Sequence, residues 1–544
     1  MNIEDKFNVI DSMFRDNNNF LVRHHIDSYN LFFKEKLREI IIDNNPIRFI
    51  TELDEETKLY KYTAEIYIGG KNGDKIYYGK PIIYDNVDND ERIHYMMPNE
   101  ARLRNMTYGF SIHYDVDIDF KILQEDDEGK TGKDKFNVYE TTNTIKNIFL
   151  GKFPIMMQSY LCVLNKLDKQ VCYNLGECKN DPGGYFIIDG KEKAIVSQES
   201  RANNILYVKD KFNDIYSHVA EIRSVSEDAS KPVRTLSVRL MADQPGQTYG
   251  NIVVSVPNVR KPVPLFILMR ALGIISDKEI IETCLLDLKK HEELLELFIP
   301  SVYDAGNIFT QQAALNYIAT LTKIKTISGV MDILMDYFLP HIGELNFKHK
   351  ALYLGYIVKK LLLVYIKAEL PTNRDKYNYK RIQNTGILIH ELFTEYYKMQ
   401  ISNIFLKMDS EYHFKGSNTT NYQDLNFPNL ILNNKELIFS ERIVEEGFKK
   451  AFKGNWGGAA HTKRAGIVQQ LNRLSFFSFM CQLRKTNLDI GDGTKMVPPR
   501  MLNGTQYGYL CPLHSPDGGN IGLHKHLSTS VKITTGVSAK PFIP

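Results

Sequence analysis

Between Gly454 and Leu523 the chain sets its bases among glycines and prolines, a pattern that suits a rigid loop surface meeting phosphates. The stretch opens Gly454-Asn455-Trp456-Gly457 and passes through Lys463-Arg464-Ala465-Gly466 and Leu471-Asn472-Arg473. It continues with Leu483-Arg484-Lys485-Thr486-Asn487, Gly491-Asp492-Gly493-Thr494-Lys495 and Pro499-Arg500-Met501-Leu502. Cys511-Pro512-Leu513-His514-Ser515-Pro516-Asp517-Gly518 and Asn520-Ile521-Gly522-Leu523 close it. From Gly454 onward ten bases face only Asp489, Asp492 and Asp517, a net of +7 against +3 for the whole chain. Everything upstream is therefore about −4, so any nucleic-acid binding is local to one end.

The 544 residues are enough for three or four domains. Six cysteines, none in a Cys-x-x-Cys pair, fit a reducing compartment. The most apolar run, Leu361 to Ile366, is far shorter than the ~20 residues a membrane helix needs, and no signal pattern opens the chain. A soluble, intracellular protein with no membrane partner is expected.

Along the chain, Leu31 to Ile42 has helical spacing, and Lys61 to Ile68 and Lys75 to Ile83 alternate as strands. The acidic piece Glu125 to Glu128 reads as a solvated loop. Asp181 to Glu199 reads as turn, buried strand, tight turn, buried strand, with glycines at the turns. From His218 the composition changes. Thr235 to Met241 and Asn251 to Val256 alternate as strands, then helical segments follow at 264–272, 277–288, 292–297, 310–321, 330–338 and 352–370. The fold class is α+β, multidomain, with mixed helices and antiparallel sheets.

The Gly454 to Leu523 motifs, in order and spacing, resemble the fork region of the second-largest (β-type) subunit of multisubunit DNA-directed RNA polymerases. Leu21 to Asn30, Pro98 to Tyr108 and Asp181 to Glu199 resemble that subunit's protrusion, and the strand-then-helix segment from His218 resembles its lobe. Asn373 to Arg381 looks like the return to the protrusion, so one domain is inserted into another. The resemblance implies protrusion segments at 1–217 and 373–453, a lobe at 218–372, a fork at 454–535 and the start of a further domain at 536–544. It covers roughly the first half of such a subunit. His514 stands where the family usually has Glu, and Asp517 is one methylene shorter than the family's acid, which suggests a diverged lineage such as a large DNA virus.

Guanidinium and ammonium groups in an acid-poor stretch are phosphate ligands by charge and geometry. The candidate nucleic-acid contacts are Lys463, Arg464, Arg473, Arg484, Lys485, Lys495 and Arg500; the alternative is that one or two of them make structural salt bridges. By resemblance, Asp492, Gly493, Pro516, Asp517 and Gly518 lie at the edge of the active centre. Nucleotide addition needs two divalent metals on clustered carboxylates, and the fork-like stretch has no such cluster, no phosphate loop and no nucleophile elbow. No metal ligand and no catalytic residue is therefore assigned to this chain alone. Cys511, His514, His524 and His526 do not match an established zinc spacing. Trp456 reads as a core anchor, and Phe476, Phe477 and Phe479 as helix core.

The resemblance implies Mg²⁺ held mainly by a partner largest subunit. The expected partners are that subunit, the C-terminal half of the second-largest subunit, smaller subunits, DNA template and RNA transcript. The expected place is nucleus or cytoplasm, or a viral factory or virion if the lineage is viral. The rival reading is a stand-alone nucleic-acid-binding or regulatory derivative without catalysis.

Overall fold

The computed structural model describes residues 2–16, 19–53, 58–87, 90–125, 136–210, 213–226, 233–242, 250–415, 422, 424–488, 490 and 495–534. Residues 126–128 of the acidic piece, residues 243–249, Asp489, Asp492, Gly493 and residues 536–544 lie outside the described residues. The chain divides into two compact units. One comprises residues 1–200, 382–502 and 506–544; the other comprises 201–381 with 503–505.

The first unit is built on an antiparallel sheet in the order Ile47–Leu53, Tyr60–Ile68, Gly109–Glu125, Ile76–Tyr78, with Phe136–Pro154 also pairing Gly109–Glu125. Alternation does the sorting: Tyr62, Ala64, Ile66 and Ile68 are buried, and their registers place Ala64 opposite Phe120 and Ile66 opposite Ile118. The expected strand Lys75–Ile83 is broken in two. Ile76–Tyr78 stays in this sheet, whereas Ile82–Val87 pairs Asp90–Tyr95 in a separate hairpin. Pro81 between them has no N–H to continue a ladder. The expected hairpin is present as Phe186–Ile188 and Lys191–Ile195, with Val468–Gln470 pairing its second strand.

Helices distant in sequence close this core. Arg23–Leu31, Phe32–Lys36 and Leu37–Asp43 run on as one helix with a π turn at its middle. It packs on the 26-residue helix Thr385–Ser410. Gly386 makes that approach possible, since a Cβ there would lie 2.0 Å from Ser28 O. Gly447 does the same for the helix Ile443–Phe452, where a Cβ would lie 2.5 Å from the Tyr396 ring. His25 locks the junction: its ring nitrogens lie 2.7 Å from Thr385 Oγ1 and 2.7 Å from Leu483 O. Burial lowers the His25 pKa to about 4, with the Leu483 bond opposing and Arg484 adding to the fall.

The second unit has its own antiparallel sheet, Leu206–Asp210, Tyr216–Ser224, Arg234–Met241, Ile252–Ser255 and Val263–Pro264, and its own core. Leu206–Asp210 pairs Tyr216–Ser224, so the unit takes in residues before His218. The helices Leu265–Ala271, Asp277–Leu285, Gln311–Leu321 and Ile327–Asp336 match the expected segments. Thr310 and Thr326 cap the last two with side-chain bonds to backbone N–H groups. The long helix is Phe347–Tyr365, shifted toward the N-terminus from the expected 352–370. It stops where Lys367 takes a positive φ of 61°. It begins early enough to bury Lys350, whose Nζ donates to Leu334 O and Met335 O at 2.7 and 3.0 Å. Arg270 is likewise buried, with its guanidinium on Ile308 O and Asp277.

Candidate nucleic-acid interface

All the candidate bases lie in the first unit. The helix Ile443–Phe452 ends in a loop that opens with Gly454 at φ 114° and Gly457 at φ 88°. Gly457 has no room for a side chain, because a Cβ would sit 2.3 Å from Thr462 O. The loop closes on itself where Arg464 N donates to Trp456 O at 3.1 Å. Glu395, on the helix Thr385–Ser410, fixes it from behind. Its Oε1 accepts from Gly458 N, Ala459 N and Thr462 Oγ1 at 3.2, 2.6 and 2.7 Å.

Trp456 is buried against Phe452, as a core anchor should be. Lys463 is exposed and makes no ion pair with any described residue. Arg464 donates to Gln383 Oε1 at 3.0 Å and stands 3.8 Å from Glu391. Burial raises the Glu391 pKa, with Arg464 opposing.

Arg473 is the hub of a charge network. Its Nε and Nη2 donate to Glu192 at 2.8 and 2.9 Å, and Nη2 reaches Asp181 at 3.3 Å. Arg102 shares Glu192 at 3.0 Å and also pairs Glu177 at 2.7 Å. The Arg473 guanidinium lies over the Tyr185 and Phe479 rings. Burial alone would raise the Glu192 pKa, but Arg473 and Arg102 outweigh it and hold the carboxyl below its ordinary range. Of the three phenylalanines expected in a helix core, only Phe479 is buried. Phe476 and Phe477, at 59% and 80%, are exposed, because the helix Phe476–Leu483 packs one face only.

Arg484 ends that helix with its guanidinium turned inward. Nη1 donates to Leu21 O at 2.7 Å, and Nη2 to Ser528 O and, at 3.4 Å, to Thr529 O. Burial lowers its pKa. Lys485 opens the strand Lys485–Leu488, which pairs in parallel with Ser197–Glu199 and antiparallel with His524–His526. It is half-buried, and burial lowers its pKa as well. Next to it Lys525 makes a buried ion pair with Glu199 at 3.1 Å.

Lys495 is exposed. Arg500 donates to Gly519 O at 2.6 Å and Ile521 O at 3.0 Å, and so shapes the loop that carries Pro516, Asp517 and Gly518. Asp517 and Gly518 are exposed on that loop, and Pro516 is half-buried. His514 stacks on His526 with ring centroids 3.5 Å apart, and burial lowers the His526 pKa to about 4.

The bases thus divide. Arg464, Arg473, Arg484 and Arg500 are bonded to groups of the protein, whereas Lys463 and Lys495 face solvent. The local acid count missed the partners, because Asp181, Glu192, Glu199 and Glu391 come from far upstream. Among the described residues no three His, Cys, Asp or Glu side chains gather to hold a metal ion. No helix among them is long and apolar enough to cross a membrane.

Residues 20–426 match the family model described as RNA polymerase beta subunit, and residues 469–533 match RNA polymerase Rpb2, domain 3. The chain belongs to the RNA polymerase beta-subunit family. It is 35% identical to DNA-directed RNA polymerase II subunit RPB2 of Encephalitozoon cuniculi, over 99% of this chain and 44% of that protein. It is 33% identical to DNA-directed RNA polymerase II subunit 2 of Arabidopsis thaliana, over 99% and 44%. It is 30% identical to DNA-directed RNA polymerase subunit Rpo2 of Saccharolobus solfataricus, over 99% and 42%. The chain thus spans less than half the length of these curated relatives. Arg473, Arg484, Lys485, Lys495 and Arg500 fall inside the second matched family segment, and Lys463 and Arg464 fall between the two.

Proposed function

We propose that this chain is the N-terminal part of the second-largest subunit of a DNA-dependent RNA polymerase. It forms part of the nucleic-acid cleft and the active-centre edge for template-directed RNA synthesis from ribonucleoside triphosphates. The observation that carries this reading is collinearity. The two family segments follow one another in order, and the named RNA polymerase relatives match 99% of the chain.

In this role the exposed Lys463 and Lys495 meet phosphate oxygens as point charges. The bonded arginines shape the surface that presents them. In this reading the catalytic Mg²⁺ ions are held mainly by the partner largest subunit. Further partners are the C-terminal part of the second-largest subunit, smaller polymerase subunits, DNA template and RNA transcript. The assembly works inside the cell.

Reconstitution tests this. The chain combined with a largest subunit and the remaining second-largest segment is expected to give Mg²⁺-dependent RNA synthesis on a DNA template. The chain alone is expected to give none. Nucleic-acid binding by the chain with no assembly onto those partners would instead establish a stand-alone binding protein.

A further inference from the structure

The helix Ile3–Asp16 belongs to the first unit, yet its apolar stripe lies in water. Ile3, Phe7, Ile10 and Phe14 recur at steps of four, three and four, which places them on one face. Ile3, Phe7 and Ile10 are 67%, 68% and 54% exposed. Phe14, at the inner end, is half-buried and turns its ring edge-on to Phe20 with centroids 5.5 Å apart.

The sequence specifies this helix locally. Glu4 and Asp5 stand in the first turn and Arg15 in the last, where each suits the helix dipole, and Arg15 pairs Asp11 at 2.8 Å. Local signals alone leave a helix of 14 residues marginal in water, because most helical stability in proteins comes from packing an amphipathic face. A helix encoded in this way, with its stripe uncovered, is built to be packed by something else.

The helix itself argues against two occupants. Pairing with a second copy would rest on a stripe of less than two heptads, whereas coiled-coil repeats run over three or four. A helix lying on a membrane carries a polar face rich in Lys and Arg. Here the polar side carries Glu4, Asp5 and Asp11, and Arg15 is tied to Asp11. A groove on a protein remains, with an apolar floor for Phe7 and Ile10 and a basic rim opposite the three acids.

The relatives bear on whose groove it is. The first matched family segment begins at residue 20, beyond the helix. The match to RPB2 of Encephalitozoon cuniculi nonetheless covers 99% of the chain, which leaves out fewer residues than the helix contains. The helix is therefore shared, at least in part, with proteins more than twice as long, in which the rest of the subunit belongs to the same chain. Its root is tied to the second matched segment, since Arg484 Nη1 donates to Leu21 O at 2.7 Å. The helix that Arg484 ends, Phe476–Leu483, also turns Phe476 and Phe477 to solvent. Two uncovered apolar surfaces thus extend from elements bonded at one junction, which suits one large partner better than a peptide.

We propose that the stripe of Ile3, Phe7, Ile10 and Phe14 docks in an apolar, basic-rimmed groove on the remaining segment of the second-largest subunit, and so joins that segment to this chain. The inference rests on the polymerase reading but fails separately from it.

The test follows amide hydrogen exchange and affinity in the full chain, alone and with the remaining second-largest segment supplied as a separate chain. Alone, residues 3–16 are expected to exchange almost without protection. In the complex their exchange should slow about tenfold or more. Phe7→Gln and Ile10→Gln keep a good helix former and remove one anchor each. Losing one such buried side chain should weaken association about tenfold or more, and the double variant further still. Both side chains are exposed in this chain, so the variants should keep the wild-type unfolding transition. Asn8→Gln, an exposed change off the stripe, should associate as wild type.

Unchanged association of the double variant, or no added protection of residues 3–16 in the complex, overturns the proposal and leaves the polymerase reading standing. Self-association of the chain that the double variant abolishes would make a second copy the occupant. Binding to phosphatidylcholine–phosphatidylserine vesicles that the double variant abolishes would make it a lipid surface. Either result overturns the proposal. If the wild-type chain does not associate with the remaining segment at all, the polymerase reading falls, and this inference with it.

Discussion

Replacing Arg484 with alanine separates two roles for one guanidinium. A phosphate-binding arginine, once removed, weakens nucleic-acid binding and leaves the fold intact. In the structure the residue is only 8% exposed, and it joins Leu21 O, from the start of the chain, to Ser528 O and Thr529 O, from the second matched family segment. Two of these bonds are well formed, and charge-assisted bonds contribute about 1.5–3 kcal/mol each. Truncation also strands the carbonyls that accept them. Burial of the charge takes part of this back, as the lowered pKa shows. A net loss of about 3–4 kcal/mol follows from these terms.

The assay is urea unfolding followed by Trp456 emission, which reports the compact unit that contains Arg484. With a slope of about 1–3 kcal/mol per molar urea, the midpoint should fall by about 1 M or more. Arg484→Lys should fall nearly as far, because one ammonium cannot replace a planar fork. The reasoning is refuted if Arg484→Ala unfolds as wild type and instead flattens the slope of log K against log[salt] for DNA binding by about one.

Three other outcomes are expected. Lys463→Ala, the converse case, should leave urea unfolding unchanged and flatten that salt slope by about one unit on duplex DNA, somewhat less on single strands. His25 has a folded pKa of about 4 against an unfolded value near 6.5. The unfolded chain therefore binds its proton first, and stability should be level above pH ~6.5, then fall by at most about 3 kcal/mol as pH drops toward 4. That dependence should be reduced in His25→Gln, measured by unfolding across the pH range. Gly386→Ala drives a Cβ to within 2.0 Å of Ser28 O and should cost about 1–3 kcal/mol or more by urea unfolding, the range for overpacked cores.

The elements of the fold were legible where burial is periodic. Tyr62, Ala64, Ile66 and Ile68 announce a strand with one face inward, and Gln311–Leu321 and Ile327–Asp336 each open on a capping threonine. What joins the elements was not legible. Nothing near His25 in sequence indicates that its ring is held by Thr385 and by Leu483 O. Likewise, nothing around Gly386 or Gly447 in sequence shows how closely Ser28 O and the Tyr396 ring approach them. Phe476 and Phe477 misled for a related reason. A helix rich in phenylalanine was expected to be core, yet the unit covers only the face that carries Phe479.

The candidate interface shows the same division in its charges. Counting acids from Gly454 onward gave a strongly positive stretch, but ion pairing depends on distance in space. Glu192 and Asp181 reach Arg473, Glu199 reaches Lys525, and Glu391 approaches Arg464, all from elements far upstream. The property that made arginine the favoured phosphate ligand is its rigid fork of donors. That fork serves a pair of carbonyls or a carboxylate equally well, and in the folded unit Arg473, Arg484 and Arg500 use it to staple distant segments together. Lysine has no such fork, and Lys463 and Lys495 are left in solvent. Residue type therefore identified groups able to bind phosphate. Only the fold shows which of them still have that capacity to give to a ligand.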